Sequence, residues 1–272
     1  MKTKLYISKN ILVVLSMLAL LALSPTLCAQ PDSLIRKSFK HLLNNGIALV
    51  KSPIQWNKTD WIVLGSATAF TTASIAFFDE PVQRYLSTHR NLPLEKSLSV
   101  FDYSDFYYTT AIVTGFTAAG FISKNNYTIE TAYMIAESCF YSALLTRTIK
   151  IVAGRDRPNH WQGPDAHNWD IESDGRSFFS GHTSMAFAAA SVISWRYRHQ
   201  KWIPWLSYGL ASTIGFQRMY YNRHWLSDVA AGAVSATAIG LFIAKNDIAN
   251  PLKLYPIVTP HITGLSMIIP IP

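Results

Sequence analysis

Charged side chains are scarce in this 272-residue chain, at 15% of residues against 49% hydrophobic, where soluble domains average about 25% charged. That shortage leans toward a membrane environment. Cysteine is nearly absent, with only Cys28 and Cys139, so no disulfide framework can staple the fold. No Pro/Gly-rich linker, charge run or internal repeat divides the chain, which argues against a multidomain or solenoid architecture. The 24 Lys and Arg residues outnumber the 16 acids and give a net charge of +8. They are scattered rather than gathered into one stripe, which argues against nucleic acid and suits an anionic lipid surface or a phosphate-bearing substrate.

The N-terminus has the layout of an export signal. Lys2, Lys4 and Lys9 precede an apolar run from Ile11 to Leu23, then Ser24-Pro25 and the small-residue exit Cys28-Ala29-Gln30, so residues 1–29 read as a signal peptide cleaved after Ala29. A lipidated Cys28 is the alternative, although Pro25-Thr26-Leu27 has no small residue directly before the cysteine. Cleavage after Ala29 leaves Cys139 alone in an apolar segment, as a buried packing residue.

Residues 30–60 form an N-terminal amphipathic helix and linker. Leu34, Ile35, Phe39, Leu42, Leu43, Ile47 and Leu49 recur at mostly helical spacing between Arg36, Lys37 and Lys40, which predicts a helix over 33–51 lying on a surface. Six apolar segments follow within 61–249: Trp61–Phe78, Phe106–Ser123, Ile129–Leu145, Met185–Trp195, Trp202–Phe216 and Val229–Ala244. Each is near the lower length for a bilayer crossing and rich in the small residues that let helices approach closely. The fold class is therefore all-α, a six-helix bundle. In residues 250–272 five prolines among β-branched side chains forbid a long helix, and an extended tail or small hairpin is predicted.

Glu130 and Glu137, seven residues apart on one helix face, are either functional carboxylates inside a membrane or ordinary groups paired with a base in a soluble bundle. If all six segments cross, Lys124, Arg196, Arg198, Lys201 and Lys245 gather at one face, and by the positive-inside rule the other face points outward. That puts residues 30–60 inside, whereas a cleaved signal peptide puts them outside. Either the first apolar run stays as an anchor, or one segment does not cross, or a soluble or peripheral bundle is exported whole. The favoured reading is a membrane domain of the bacterial envelope with its site facing the periplasm; a soluble periplasmic protein is the alternative.

The outward face would carry three islands of charge: Lys150-x6-Arg157-Pro158, Ser180-Gly181-His182 and Arg218-x5-His224-x3-Asp228. Hydrolysing a phosphate ester requires neutralised non-bridging oxygens, a nucleophile in line, and a proton for the leaving oxygen. Lys150, Arg157 and Arg218 meet the first need, the arginines through their two-pronged fork. Ser180 sits where an N-cap belongs, so the backbone N–H groups of Gly181 and His182 can point at an anion with a helix dipole behind them. His182 is then the proton donor. His224 and Asp228, one helical turn apart, suit a carboxylate that holds one ring nitrogen as N–H and leaves the other to attack. A zinc site built from His182, His224 and Asp228 is conceivable by residue type, but three nearby cations would repel the metal, and no metal or other cofactor is expected. Arg155, Asp156, His160 and His167 lie on or near the loop Asn159–Arg176, whose Trp161 and Trp169 either select the substrate at a lipid surface or are simply buried.

These three islands resemble the signature of the type 2 phosphatidic acid phosphatase and haloperoxidase superfamily, K-x6-RP, PSGH and SR-x5-H-x3-D, in order and internal spacing. Residues 129–244 look like its helical core. The chain departs at Phe179, where the family has proline, and at Gln217, where it has serine. The resemblance implies a metal-independent phosphatase acting through a phosphohistidine on His224, with His182 as acid and then base. Lys150, Arg157 and Arg218, together with Ser180 and Gly181, would hold the phosphoryl group. The substrate class it implies is a membrane lipid phosphate or diphosphate: phosphatidate, phosphatidylglycerol phosphate, polyprenyl diphosphate or lipid A. A soluble non-specific acid phosphatase, a vanadium-dependent haloperoxidase and a non-catalytic lipid-phosphate binder are the rivals.

Overall fold

The structure, a computed structural model, describes residues 42–102, 105–159, 164–171, 176–249, 253–258 and 263–268. Residues 1–29, read as a signal peptide, and the first part of the predicted amphipathic helix lie outside them. The chain is an all-α bundle followed by a two-stranded hairpin. Helix α1 covers 42–51. A continuous helical rod follows, made of α2 (Lys58–Ala73), a π-helical turn at Ser74–Phe78 and α3 (Asp79–Thr88). After the short α4 (Leu92–Leu98) come α5 (Asp105–Ile122), α6 (Asn126–Ala153), α7 (Gly181–Arg196), α8 (Trp202–Tyr220) and α9 (Leu226–Ala249). The six apolar segments read from the sequence are α2 with its π turn and α5 to α9.

The starts of these helices are written in short polar side chains. Asn57 closes a capping box on α2: its side-chain oxygen accepts from the N–H groups of Thr59 and Asp60, and Asp60 accepts from the N–H of Asn57. Asn125 caps α6 through the N–H of Tyr127. Gly154 ends α6 with φ of 58°, the left-handed turn that glycine makes without strain. A Cβ there would stand 2.2 Å from the carbonyl oxygen of Asp170, so this glycine also lets the following loop lie against the helix end.

Helix α7 is the hub. It packs against α5, α6, α8 and α9, and α9 in turn packs against α6, α2 and α3. The core at these seams consists of small and medium side chains, among them Ala132, Ile135, Cys139, Ala188, Ala189, Val192, Ala236, Ile239 and Ile243. Small residues allow close axes: a Cβ on Gly240 of α9 would meet the carbonyl oxygen of Ala188 at 2.7 Å. Cys139 is a buried core residue, as read from its sequence context.

Helix α1 does not simply lie on a surface. Its Leu42 and Asn45 are buried against α6, where the Asn45 amide donates to Glu137 Oε1 at 3.0 Å and the Tyr141 hydroxyl donates to the carbonyl of Leu42. The two carboxylates of α6 therefore divide. Glu137 is fully buried and takes the Asn45 amide, whereas Glu130 pairs with Arg196 at 3.1 Å. Arg196 also stacks on Tyr127, 3.5 Å from the ring centroid, and donates to its carbonyl, which locks the end of α7 to the start of α6.

Large apolar side chains of α2, including Trp61, Ile62, Val63, Leu64 and Phe70, are exposed. Among the described residues two helical stretches, Lys58–Thr88 and Leu226–Asn246, are long and apolar enough to cross a membrane. In the tail, β1 (Lys253–Val258) pairs antiparallel with β2 (Thr263–Ile268), Lys253 opposite Ile268, which is the hairpin form of the prolines' prediction.

Candidate active site

Antiparallel packing of α6, α7, α8 and α9 brings the end of α6, the start of α7, the end of α8 and the start of α9 to one end of the bundle. The three charged islands sit on those four termini. The turn between α8 and α9 is short: Asn222 takes a left-handed φ of 54°, and the N–H of Arg223 returns to the carbonyl of Arg218 at 2.9 Å. This turn delivers His224 directly after Arg218.

His224 is buried, with Nδ1 3.4 Å from Asp228 Oδ2 and 3.3 Å from Ser177 Oγ. The same Asp228 oxygen accepts from the Ser177 hydroxyl and, at 2.9 Å, from the N–H of Trp225. The other oxygen, Oδ1, accepts from Arg155 Nη1 at 2.7 Å. Burial, followed by the positive charge of Lys150, pushes the His224 imidazole down to about 3 against the pull of Asp228. The ring is neutral at physiological pH, as a nitrogen nucleophile must be.

The cations close around it. Lys150 Nζ donates to the carbonyls of Arg176 at 2.6 Å and Ser177 at 2.9 Å, so the lysine anchors the loop before α7 as well as placing charge beside His224. Arg157 follows Gly154 and is half-buried. Its guanidinium is pulled below its ordinary value first by burial and then by the charges of Arg223 and Arg218. Guanidiniums this close repel one another, and an oxyanion among them relieves the repulsion. Arg218 is buried and donates from Nη2 to Asp102 at 2.6 Å; its Nε is buried with no acceptor among the described residues.

Ser180 occupies the N-cap position of α7, but its side chain does not cap the helix. The expected serine cap is replaced by other bonds. Ser180 Oγ accepts from the Thr183 hydroxyl at 2.8 Å, and its N–H donates to the carbonyl of Asp228 at 3.1 Å. The serine ties the start of α7 to the start of α9, and Gly181 and His182 form the first turn of α7. The His182 ring lies edge-on to Tyr108, with centroids 6.3 Å apart.

Four residues outside the sequence motifs belong to this site. Asp79, at the head of α3, is the first charge after a long uncharged segment, and that isolation was its signal. Ser177 and Asp102 had none. Arg155, which with Asp156, His160 and His167 reads as lying on or near the loop Asn159–Arg176, is fully buried and its charge is directed inward. Of that group His167 is exposed near Glu80 and Asp165, the ligand atoms of the three lying within 4.8 Å of one another, and His160 and Trp161 lie outside the described residues. Trp169 packs edge-on to Phe178 at 5.4 Å.

Residues 130–249 match the family model of the PAP2 superfamily. A lipid A 1-phosphatase of Porphyromonas gingivalis is 42% identical over 67 residues, which is 24% of this chain and 15% of that protein's length. Among solved structures, Aquifex aeolicus LpxE is 22% identical with a TM-score of 0.49, covering 62% of this chain and 95% of that one. A transmembrane PAP2-type phosphatidylglycerolphosphate phosphatase from Bacillus subtilis is 19% identical with a TM-score of 0.48, covering 70% and 93%.

Proposed function

We propose that the protein is a phosphatase acting on a membrane lipid phosphate or diphosphate, with residues 61–249 as the catalytic domain. The observation that carries this reading is a buried, neutral His224 facing Asp228 on one ring nitrogen, with Lys150, Arg157 and Arg218 around it. His224 Nε2 attacks phosphorus in line while the bond from phosphorus to the leaving oxygen breaks, and His182 gives that oxygen its proton. Asp228 holds the Nδ1 proton as the ring becomes cationic. Water, deprotonated by His182, then cleaves the N–P bond and releases inorganic phosphate, which restores both histidines. Lys150, Arg157, Arg218 and the N–H groups of Gly181 and His182 neutralise the equatorial oxygens throughout, and Ser180 holds this turn in place.

Lipid A phosphate is the preferred substrate, because a 67-residue stretch is 42% identical to an enzyme named for it. The exposed apolar face of α2 and the two helices of membrane-spanning length favour a bilayer over a soluble periplasmic enzyme. Arg198 and Lys245, which stack on Trp195 at the far end of the bundle, support a cytoplasmic far end and a periplasmic site.

The test is phosphate release in detergent micelles from lipid A, phosphatidate, phosphatidylglycerol phosphate, polyprenyl diphosphate and a water-soluble ester, with rapid quench to trap an acid-labile phosphoenzyme. Release from lipids over the soluble ester, with label on the protein lost in His224→Ala, is the expected result. Binding without release, or undiminished turnover in His224→Ala, would refute the reading.

A further inference from the structure

Arg155 is a fully enclosed charge. Its side chain has no solvent exposure, and every nitrogen has an acceptor: Nε and Nη2 reach the carbonyl of Ala166 at 3.0 and 2.7 Å, Nη2 reaches Asp79 Oδ2 at 2.7 Å, and Nη1 reaches Ser227 Oγ and Asp228 Oδ1, each at 2.7 Å. Trp169 and Trp225 lie over the guanidinium at 4.8 and 5.4 Å from their ring centroids. Asp79 is fixed as firmly, taking the N–H of Ser227 at 2.9 Å and its hydroxyl at 2.5 Å.

Taking a charge out of water is costly, and a buried ion pair is poor evidence of a gain in stability. What distinguishes this one is its partner. Arg155 bonds the Asp228 oxygen that His224 does not use. We propose that Arg155 is a positioning residue: it grips Asp228 through Oδ1 so that Oδ2 faces His224 Nδ1, keeps the proton on that nitrogen, and leaves Nε2 free to attack. One guanidinium between two carboxylates also leaves a single uncompensated negative charge beside His224, which favours the cationic phosphohistidine. Asp79 orients the guanidinium and so links the head of α3, directly after the π turn of the α2–α3 rod, to the reacting histidine.

The charged and titratable groups around His224 are Lys150 at the end of α6, Arg155 and Arg157 after it, His182 on α7, Arg218 on α8, Arg223 in the turn, Asp228 on α9 and Asp79 on α3. All of them except Asp79 and Asp228 are cationic or become so. Deleting the Arg155 charge therefore makes the surroundings of His224 more negative and raises the pH at which the imidazole gains its second proton.

The inference rests on the phosphohistidine reading. Wild-type turnover and its loss in His224→Ala test that reading alone, so its failure is distinguishable from a failure here. The decisive variant is Asp79→Asn with Arg155→Met, which removes one carboxylate together with the guanidinium and so keeps the net charge of the cluster while releasing Asp228 Oδ1. Its unfolding midpoint should fall, because Asp228 Oδ1 loses its buried donor; per folded molecule its KM should change little, its kcat should fall about a hundredfold or more, and the acid limb of kcat/KM should move up by about half a pH unit, since Arg155 bonds Asp228 directly and the deleted Asp79 does not. Wild-type kcat, or a lower kcat with an unmoved acid limb, would make Arg155 a structural clamp only. Should that variant not fold, Arg155→Lys decides: it keeps the charge but loses the two-pronged grip, so kcat should fall about tenfold with KM and the acid limb in place, and wild-type kcat would overturn the proposal.

Discussion

Asp102 and Arg218 meet through a single carboxylate oxygen: Oδ1 of Asp102 accepts from Arg218 Nη2 at 2.6 Å and from the amide of the adjacent Gln217 at 3.2 Å. Gln217 is the residue that departs from the superfamily's serine, and its amide, fully buried at its base, is spent on the same carboxylate. A phosphoryl group bound by the Arg218 fork competes with Asp102 for that fork. In Asp102→Asn the competition weakens. Because the pair is partly exposed, the gain is modest, and the inhibition constant of orthovanadate should fall about two- to fivefold. Weaker vanadate inhibition in Asp102→Asn would instead mean that the carboxylate aims Arg218.

The burial of His224 makes folding pH-dependent with a definite sign. Its folded-state value is about 3 and its ordinary value 6.5, so between these the unfolded chain binds a proton that the folded chain does not. Stability is unaffected by this residue above about pH 6.5 and falls as pH drops toward 3, by up to about 1.4 kcal/mol per unit. Denaturant midpoints between pH 7.5 and 4 should therefore decline less steeply in His224→Gln than in wild type. Parallel slopes would show that His224 is hydrated and protonates normally in the folded protein.

At the opposite end of the bundle, Glu130→Gln tests whether a carboxylate on α6 matters to the chemistry. It pairs with the buried Arg196, which keeps its bonds to Thr131 and to the carbonyl of Tyr127. The variant should lose about 1–2 kcal/mol of stability and retain wild-type kcat. A large fall in kcat at unchanged stability would make Glu130 functional.

Where periodicity and end signals coincide, the fold was legible in the sequence. The segments that became α5 to α9 were located to within a few residues at most ends, and the larger extensions are physically explicable. Helix α7 begins four residues before Met185 because Gly181-His182-Thr183-Ser184 is polar, and apolar patterning is blind to a helix turn that faces a polar site. The rod through α2 and α3 runs ten residues beyond Phe78 because Asp79 and Glu80, read as an end to hydrophobicity, are favourable in the first turn of α3. The charged islands were legible as motifs because their residues are close in sequence. Asp79, Asp102 and Ser177 reach the site from other segments through tertiary packing, and one sequence carries no pairing signal for such contacts. Arg155 was visible but misplaced, since a charged residue beside a loop normally points to water and only the acceptors on α3, α9 and Ala166 draw it inward.

Gly154 is the position where backbone geometry and the site are most tightly joined. It ends α6 in the left-handed region four residues after Lys150, and its carbonyl accepts from the N–H of Asp170 at 3.1 Å. The next residue, Arg155, bridges Trp169, accepts at its carbonyl from the N–H of Ser177 at 2.7 Å, and carries the guanidinium that grips Asp228. An alanine here suffers twice. It adopts an unfavourable φ, and its Cβ overlaps Asp170 at 2.2 Å from a backbone oxygen that no rotamer change can move. Gly154→Ala should cost roughly 2–4 kcal/mol. Because the displaced segment holds Arg155, Arg157 and the carbonyl of Ser177 that anchors Lys150, kcat should fall by more than tenfold even in the fraction that remains folded. Differential scanning fluorimetry alongside phosphate release checks both parts. A destabilised variant with wild-type kcat per folded molecule would show that the site holds its shape without this turn.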